Sequence, residues 1–346
     1  MSYLLTEAKL NFELRDKIGN GGEGEVYKAY DKQLNALIAV KKVEIANFTD
    51  INSYFDESKK LYLTRHHHVV SVNYGCQDED YIYLAMPYYK NGSIRGLMDK
   101  RFLTSREIIR YSLQFLLGLN NVHTKGLIHF DVKTENILIS DGNQALLSDF
   151  GLAQYTSHYG FSPVLGTTPV YAPPEFFAQA LHSLAFDIYQ AGLAMYRMCN
   201  GDANFEHQIQ KALTVKGAGD DQNFINAVTK GNFPDRRGYL PHIPKALAKV
   251  INNALKVSVD ERYDSVIDIL NDLSRIETSN DWLYTVDSVG NESWTYEGYV
   301  VTATNNNGSS IIETTKNGRR NTSYCKVGLN ETEKKNLLQA CLNTDW

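Results

Sequence analysis

A glycine-rich run near the start of the chain has residue types and spacing that suit phosphate binding. Residues 19–26 read GNGGEGEV, in which Gly19, Gly21, Gly24 and Val26 match the pattern G-x-G-x-x-G-x-V. Glycines at these spacings let a hairpin backbone approach phosphate groups, because no Cβ atom intervenes. A dinucleotide-binding fingerprint would need a helix directly afterwards, whereas the following VYKAYD predicts a strand and a turn. The run therefore indicates a phosphate-binding hairpin.

A lysine follows among apolar residues in a predicted strand, IAVK, at residues 38–41. The ammonium of Lys41 needs a fixed counter-charge there, because an unpaired buried charge is costly. The best candidate is Glu57, which lies mid-way along a helix predicted over residues 50–64 and shares a face with Leu61. Taken alone, either residue would be read as an ordinary surface charge. The neighbouring charged residues are interpreted as solvated: Lys42, Asp56 and Lys60.

The densest group of polar residues lies in a loop-rich stretch at 127–175. Residues 129–136 read HFDVKTEN, and a D-F-G triplet begins at Asp149, thirteen residues after Asn136. In order and spacing these elements resemble H-R-D-x-K-x-x-N and D-F-G of the protein kinase superfamily. The match, which includes the glycine run and the IAVK strand, covers about residues 12–276.

The resemblance implies phosphoryl transfer from ATP, in which a protein contributes positioning and charge neutralisation rather than covalent chemistry. Asp131 would accept the proton of the substrate hydroxyl, and Lys133 would steady the γ-phosphate. Asn136 and Asp149 would hold Mg²⁺, since both offer oxygen ligands suited to a hard cation. Lys41 would contact the α- and β-phosphates. The nucleotide-binding residues implied by the family are Gly19, Gly21, Gly24, Val26, Ala39, Lys41, Glu57, Met86, Tyr89 and Leu138.

The resemblance continues beyond this loop. Residues 166–175 (GTTPVYAPPE) resemble the end of an activation segment, with P-P-E where the family usually has A-P-E and with one residue more than expected. Asp187 and Gly192 fit the D-x-x-x-x-G of the central helix of the larger lobe. Arg262 is placed to pair with Glu175. Such a buried pair is expected to be structural, because removing one partner would leave the other charge unpaired at a cost of roughly 3–5 kcal/mol.

The acceptor class follows from the residues near Asp131. Lys133 is a family mark of serine/threonine kinases, and Thr167 resembles the threonine that contacts both of these side chains. The resemblance therefore implies Ser and Thr hydroxyls of proteins as acceptors, with autophosphorylation. Two alternatives stay open: a nucleotide-binding pseudokinase scaffold and a small-molecule kinase of the aminoglycoside type. The first is disfavoured because Lys41, Asp131, Asn136 and Asp149 are all retained. The second is disfavoured because D-F-G occurs together with the Glu175 and Arg262 pair.

Phe130 departs from the family pattern, which usually has arginine at this position. In kinases switched on by activation-loop phosphorylation, that arginine is one of the cations that receive the phosphate. A phenyl ring cannot form charge-assisted hydrogen bonds. The resemblance therefore implies a kinase of the non-RD type, which lacks the arginine before the catalytic aspartate. Its activity is expected to depend only weakly on loop phosphorylation.

The elements that must position these residues fall into two lobes and an appendage. Residues 12–86 show short strand-like runs, and residues 90–276 show helical periodicity. The resemblance therefore implies an α+β, bilobal protein kinase fold. Residues 280–346 change to aromatic, alternating runs and a last helix, which predicts a small C-terminal α/β module of unknown function. Its aromatic residues would form either a β-rich core or an exposed recognition face: Trp282, Trp294, Tyr296 and Tyr299.

Composition and charge limit the remaining classes of function. The net charge of −5 supplies no basic excess for binding nucleic acid, and no apolar run reaches membrane-spanning length. Four cysteines without a C-x-x-C pair fit reduced thiols, and the N-terminal sequence lacks the apolar core of a signal peptide. The prediction is a cytoplasmic protein that binds ATP and protein substrates but neither nucleic acid nor membrane, with its oligomeric state left open.

Overall fold

An antiparallel five-stranded sheet forms the N-terminal lobe of the computed structural model, which describes residues 10–21, 24–47, 59–213, 220–277, 280–306 and 308–344. β3 lies in the middle of this sheet, so Lys41 on this strand is only 4% exposed. The VYKAYD run lies in β2, which confirms the predicted strand after the glycines. The strands follow the spatial order β1-β2-β3-β5-β4: β1 (Phe12–Gly21), β2 (Gly24–Asp31), β3 (Ala36–Glu44), β4 (Tyr74–Gln77) and β5 (Tyr81–Pro87).

The helix predicted between β3 and β4 is described only over residues 59–63, which are helical. Glu57, the predicted partner of Lys41, lies outside the described residues. Leu61 is 3% exposed and packs in the main hydrophobic core. The face of the helix that carries Leu61 therefore turns toward the interior of the protein.

The second lobe is helical, so the predicted two-lobed α+β architecture is confirmed. Its helices are α1 (Ile94–Met98), α2 (Ser105–Thr124), α3 (Ala185–Asn200), α4 (Asp202–Leu213), α5 (Asp220–Thr229), α6 (Lys245–Ala254) and α7 (Val266–Ser274). α3 is buried along nearly its whole length and forms the centre of the lobe. A Cβ atom on Gly192 would lie 3.0 Å from Ala254 and Leu255, so glycine allows α3 to approach α6 closely.

Short paired strands join these helices and hold the loops of the predicted site. β6 pairs with β9, β7 with β8, and β10 with β11, all antiparallel. Their bounds are β6 (Leu127–Ile128), β7 (Ile137–Ile139), β8 (Ala145–Leu147), β9 (Gln154–Tyr155), β10 (Ser162–Pro163) and β11 (Leu181–His182). Single turns of 3₁₀ helix occur at Ile45–Asn47, Thr134–Asn136, Pro169–Tyr171, Pro174–Phe177, Val259–Glu261 and Thr322–Tyr324.

The C-terminal module is a six-stranded antiparallel sheet covered by one helix. Trp282, Trp294 and Tyr299 are at most 7% exposed and belong to one hydrophobic cluster, against which the half-buried Tyr296 packs. Of the two interpretations of these aromatic residues, the core interpretation is therefore confirmed. The elements are β12 (Leu283–Val286), β13 (Glu292–Tyr296), β14 (Tyr299–Asn306), β15 (Ser309–Lys316), β16 (Arg319–Arg320), β17 (Lys326–Leu329) and α8 (Glu331–Leu342).

The module packs directly on the helical lobe. The carboxylate of Asp281 accepts hydrogen bonds from the hydroxyl of Thr104 and from the backbone N–H of Arg106, both at 2.9 Å. The indole N–H of Trp294 donates to Nδ1 of His242 at 3.1 Å, and both residues are buried. The contact thus combines hydrogen bonds at the start of α2 with an aromatic core that includes a residue of the lobe.

Candidate active site

Asp187, in the first turn of α3, holds the backbone of the predicted catalytic loop. Its carboxylate accepts hydrogen bonds from the N–H groups of His129 at 2.7 Å and Phe130 at 2.8 Å. Nε2 of His123 lies 2.8 Å from the same carboxylate. Phe130 has a φ of 63°, which a bulky residue adopts only where its surroundings enforce it. Asp187 therefore fixes the turn that presents Asp131.

The structure brings the predicted base, lysine and asparagine together. Asp131 is 6% exposed, and its two carboxylate oxygens accept hydrogen bonds from Nζ of Lys133 at 2.9 and 2.8 Å. Nδ2 of Asn136 donates to Oδ2 of Asp131 at 2.7 Å. Because the amide nitrogen of Asn136 faces Asp131, its amide oxygen is left for another partner such as a cation. This donor set fits a hard divalent ion.

Asp149, the other predicted metal ligand, lies next to the lysine of the N-terminal sheet. Its Oδ1 is 3.5 Å from Nζ of Lys41. Burial raises the pKa of Asp149, but the nearby positive charges, the strongest of them Lys41, together with a backbone hydrogen bond from Gly151 outweigh burial and lower the pKa below its ordinary value. Asp149 is therefore an anion near neutral pH, as a ligand for a cation must be. Its backbone φ of 61° places it in the left-handed region, at the turn between β8 and the activation segment.

Most of the predicted nucleotide-binding residues line one cavity between the lobes. Its volume is about 330 Å³, near the lower end of the range typical for small-molecule sites. Lys41 and Asp149 lie in its wall, next to the catalytic loop. The predicted residues that line this cavity are Gly19, Val26, Ala39, Lys41, Met86, Tyr89, Asn136, Leu138 and Asp149.

Gly24 is not among the described residues that line this cavity. It is paired with Gly21 where β1 and β2 meet in their hairpin. A Cβ atom on Gly24 would lie 2.4 Å from the carbonyl oxygen of Lys42 and 2.5 Å from a methyl group of Val43. The glycine at position 24 is therefore required by close packing on β3, and not only by the space that phosphates need.

The prediction that Lys60 is solvated is wrong. Lys60 is 8% exposed, and its ammonium donates a hydrogen bond to the carbonyl oxygen of Ala153 at 2.5 Å. Ala153 follows the D-F-G triplet and is fully buried. The helical periodicity showed which residues share a face, but it did not show that this face turns toward the activation segment. Lys60 ties the helix of the N-terminal lobe to that segment.

Two predicted contacts of the activation segment have different outcomes. Glu175 and Arg262 form a bidentate ion pair at 2.7 and 2.6 Å, which confirms the predicted structural pair. The hydroxyl of Thr167 donates to the carbonyl oxygen of Phe130 at 3.4 Å, rather than to either of the two predicted catalytic side chains. Thr167 therefore contacts the catalytic loop one residue before the predicted position.

An ion-pair network beside the catalytic loop was missed in the sequence. Arg197 of α3 is 1% exposed, and its guanidinium donates to both carboxylate oxygens of Glu135 and to Asp202. One signal was present, because Arg197 interrupts a largely apolar run, AGLAMYRMC, at residues 191–199. A buried arginine requires acidic partners. The identity of those partners depends on contacts between residues far apart in the sequence.

The two-lobed fold and the residues around Asp131 together define a site of the protein kinase type. The sequence model of the family described as "Protein kinase domain" matches residues 12–272, and the chain belongs to this family.

The chain is similar to several curated serine/threonine-protein kinases. These include pakH of Dictyostelium discoideum, 28% identical over 56% of this chain and 38% of the relative, and ULK3 of Xenopus laevis, 30% identical over 56% of this chain and 43% of the relative. A probable serine/threonine-protein kinase of Clostridium acetobutylicum is 25% identical over 78% of this chain and 40% of the relative. The chain thus spans less than half the length of these relatives.

Proposed function

We propose that the chain is a serine/threonine protein kinase that transfers the γ-phosphoryl group of ATP to hydroxyl groups of proteins, including its own. The observation that carries this proposal is the group formed by Asp131, Lys133 and Asn136, next to a cavity with Lys41 and Asp149 in its wall. Phosphoryl transfer needs a base, cations and a place for the nucleotide, and these residues supply each. The names of the similar proteins support Ser and Thr as acceptors.

Each residue has a proposed role that its surroundings support. Asp131 orients the acceptor hydroxyl and takes its proton, and the ammonium of Lys133 neutralises charge beside it. Lys41 binds phosphate oxygens from the opposite side of the cavity. Asn136 and Asp149 are the residues that would hold Mg²⁺, which neutralises the charge of the phosphates when it is bound.

The activation segment is proposed to keep its active arrangement with little help from phosphorylation. Phe130 is fully buried, and its ring lies 5.0 Å from that of Phe186 and 6.4 Å from that of His182. His182 belongs to β11, which pairs with β10 of the segment. At the position where the family usually has a phosphate-binding arginine, this chain thus has apolar packing next to a strand pair.

The domain limits and the surroundings of the protein are also proposals. We place the kinase domain at residues 12–276, with its lobes at about 12–86 and 90–276, and the module at 280–346. Its partners would be ATP and protein substrates. No helix in the described ranges is long and apolar enough to cross a membrane. The structure describes all four cysteines and joins none of them in a disulfide, which supports the predicted cytoplasmic location: Cys76, Cys199, Cys325 and Cys341.

The proposed function is tested by incubating the purified chain with Mg²⁺, ATP and a generic protein acceptor. Phosphoserine and phosphothreonine should form, and Asp131→Asn should lower the rate by about 10²–10⁴-fold, because it removes the base. Asp141→Asn is the matched control, since Asp141 is an exposed acid in the turn between β7 and β8. Phosphate on Tyr alone would contradict the acceptor class. Tight ATP binding without any transfer would favour the pseudokinase scaffold.

A further inference from the structure

Arg197 is a buried cation with two carboxylate partners beside the catalytic loop. Its guanidinium donates to the oxygens of Glu135 at 2.9 and 2.8 Å and to Oδ1 of Asp202 at 2.7 Å. The ring of Tyr171 lies 5.1 Å from the guanidinium carbon, and the ring of Phe205 lies 5.2 Å from it. A planar guanidinium fits such bidentate and stacked contacts, whereas a lysine would not. The geometry therefore holds Arg197 in one position.

The charges around Arg197 are balanced within the buried part of the network. Arg95 lies 2.9 Å from the second carboxylate oxygen of Asp202, and it also pairs with the exposed Asp99 and Glu206. Both oxygens of Glu135 are occupied by Arg197. The bidentate contact with Arg197 thus neutralises the charge of the Glu135 carboxylate.

The network lies close to the place where an acceptor must bind. Glu135 is adjacent to Asn136 in the sequence, and both residues line the cavity. The hydroxyl of Tyr171 is 3.4 Å from Glu135, and the ammonium of Lys133 is 6.0 Å from the ring of Tyr171. Lys133 in turn contacts Asp131. An extended peptide spans about 3.3–3.6 Å per residue, so side chains a few positions from the acceptor hydroxyl reach this region.

The side chain of Glu135 is 33% exposed, so water and a bound peptide can reach it. A carboxylate at this position without a partner would attract arginine or lysine side chains of the substrate. We propose that Arg197 is a specificity-determining residue: it occupies Glu135 and thereby removes a selection for basic residues near the phosphoacceptor. The inference rests on the proposed function and narrows its substrates to protein segments that do not need arginine or lysine near the acceptor hydroxyl.

The test uses the full chain and a set of acceptor peptides in which Ala, Arg or Glu replaces each flanking residue in turn. For the unmodified protein, replacing Ala by Arg should change kcat/KM by less than about threefold, the scale of an exposed ion pair. Glu135→Gln should leave this pattern unchanged, because Arg197 already neutralises the charge of the carboxylate. A preference for Arg at one position that Glu135→Gln abolishes would overturn the proposal.

A second variant tests the role of Arg197 directly. Arg197→Met frees Glu135 and should create a preference for Arg over Ala of about tenfold at one flanking position, the scale of a partly desolvated charge pair. The double variant Arg197→Met with Glu135→Gln should lose this preference. Arg275→Met is the control, since Arg275 is 77% exposed and its loss removes one positive charge and only a surface ion pair with Asp272. A folded Arg197→Met variant that gains no preference for Arg contradicts the proposal.

The two proposals fail in different ways. If the unmodified chain phosphorylates no peptide on Ser or Thr, the proposed function and the proposed specificity are both wrong. If transfer occurs but a preference for basic residues depends on Glu135, only the role of Arg197 is wrong. If circular dichroism shows that Arg197→Met does not fold, the comparison between the unmodified chain and Glu135→Gln decides by itself.

Discussion

The two larger antiparallel sheets of the described ranges use their buried residues in opposite ways. The N-terminal sheet, residues 12–87, places the charged Lys41 on its central strand and directs it toward a cavity. The C-terminal sheet, residues 283–329, buries Trp294, whose side chain is fully inaccessible to water. A buried charge weakens packing unless it has a partner, whereas a buried indole strengthens it. The first sheet therefore serves chemistry, and the second serves stability.

The largest effect is expected for a substitution of Lys41, which should lower the activity but not the stability. Lys41→Met keeps most of the side-chain volume but removes the ammonium, so phosphate oxygens lose a fixed cation. The rate of phosphoryl transfer should fall by about 10²–10³-fold, while the unfolding midpoint in urea should change little. Lys42→Met is the matched control, because Lys42 is the next residue of β3 and its ammonium lies over the ring of Tyr81. Equal losses of activity in both variants would contradict the assignment.

In the second sheet, a substitution of the buried indole should lower the stability. Trp294→Ala removes a fully buried indole and its hydrogen bond to His242, which should lower the free energy of unfolding by about 3–5 kcal/mol. Urea denaturation followed by circular dichroism measures this change. Tyr159→Ala serves as an aromatic control, since Tyr159 is 84% exposed and should contribute less than about 0.5 kcal/mol. A small loss for Trp294→Ala would show that the sheet does not depend on its indole core.

A smaller effect is expected where the second sheet meets the helical lobe. Burial lowers the pKa of His242 to about 4, from an ordinary value of 6.5. The unfolded chain therefore binds a proton as the pH falls below about 6.5, while the folded chain stays neutral until about pH 4. Stability is lost across this window by up to about 3 kcal/mol, at 1.4 kcal/mol per pKa unit.

Denaturation by urea at pH 7 and pH 5 measures the loss associated with His242. His242→Gln cannot titrate and should show a smaller difference between the two pH values, although it is less stable at pH 7. His158→Gln is the control, because His158 is exposed in the activation segment. An unchanged difference in His242→Gln would assign the acid sensitivity to other groups.

The smallest effect is expected for dephosphorylation of the activation segment. We expect packing to stabilise this segment, as it stabilises the second sheet. Treatment with a phosphatase should leave most of the initial rate toward an external substrate, because Phe130 packs against aromatic rings and a phenyl ring cannot form charge-assisted hydrogen bonds with a phosphate. Replacing Thr156, Ser157, Ser162 and Thr168 together by Ala should also be mild. A collapse of the rate after dephosphorylation, followed by recovery with ATP, would show that other cations receive a phosphate.

The sequence predicted the site better than it predicted the burial of charged residues. Asp131, Lys133 and Asn136 lie within a few residues of each other, so their spacing alone brings them together. Lys60 and Arg197 are different, because the groups that accept their hydrogen bonds are far away in the chain. Local periodicity reports which face a residue occupies, but the partner that allows a charge to be buried is set by tertiary contacts.

The same limit explains why the position of the C-terminal module was not predicted. Its aromatic pattern predicted strands and a core, and both are confirmed. Its contact with the helical lobe depends on single residues such as Asp281 and His242, which carry no periodic signal. Neither the sequence pattern of the helical lobe nor that of the module therefore predicts that the two pack together.

The hydrogen bonds of Asp281 have an electrostatic consequence for α2. This 20-residue helix carries a macrodipole whose positive end lies at its first turn, where the carboxylate of Asp281 accepts the N–H of Arg106. A carboxylate at that end is favourable by about 0.3–1 kcal/mol. Removal of the module would uncover the positive pole of the longest helix in the described ranges. Docking of the module and formation of the first turn of α2 are thus thermodynamically linked, and a ligand that favours one must favour the other.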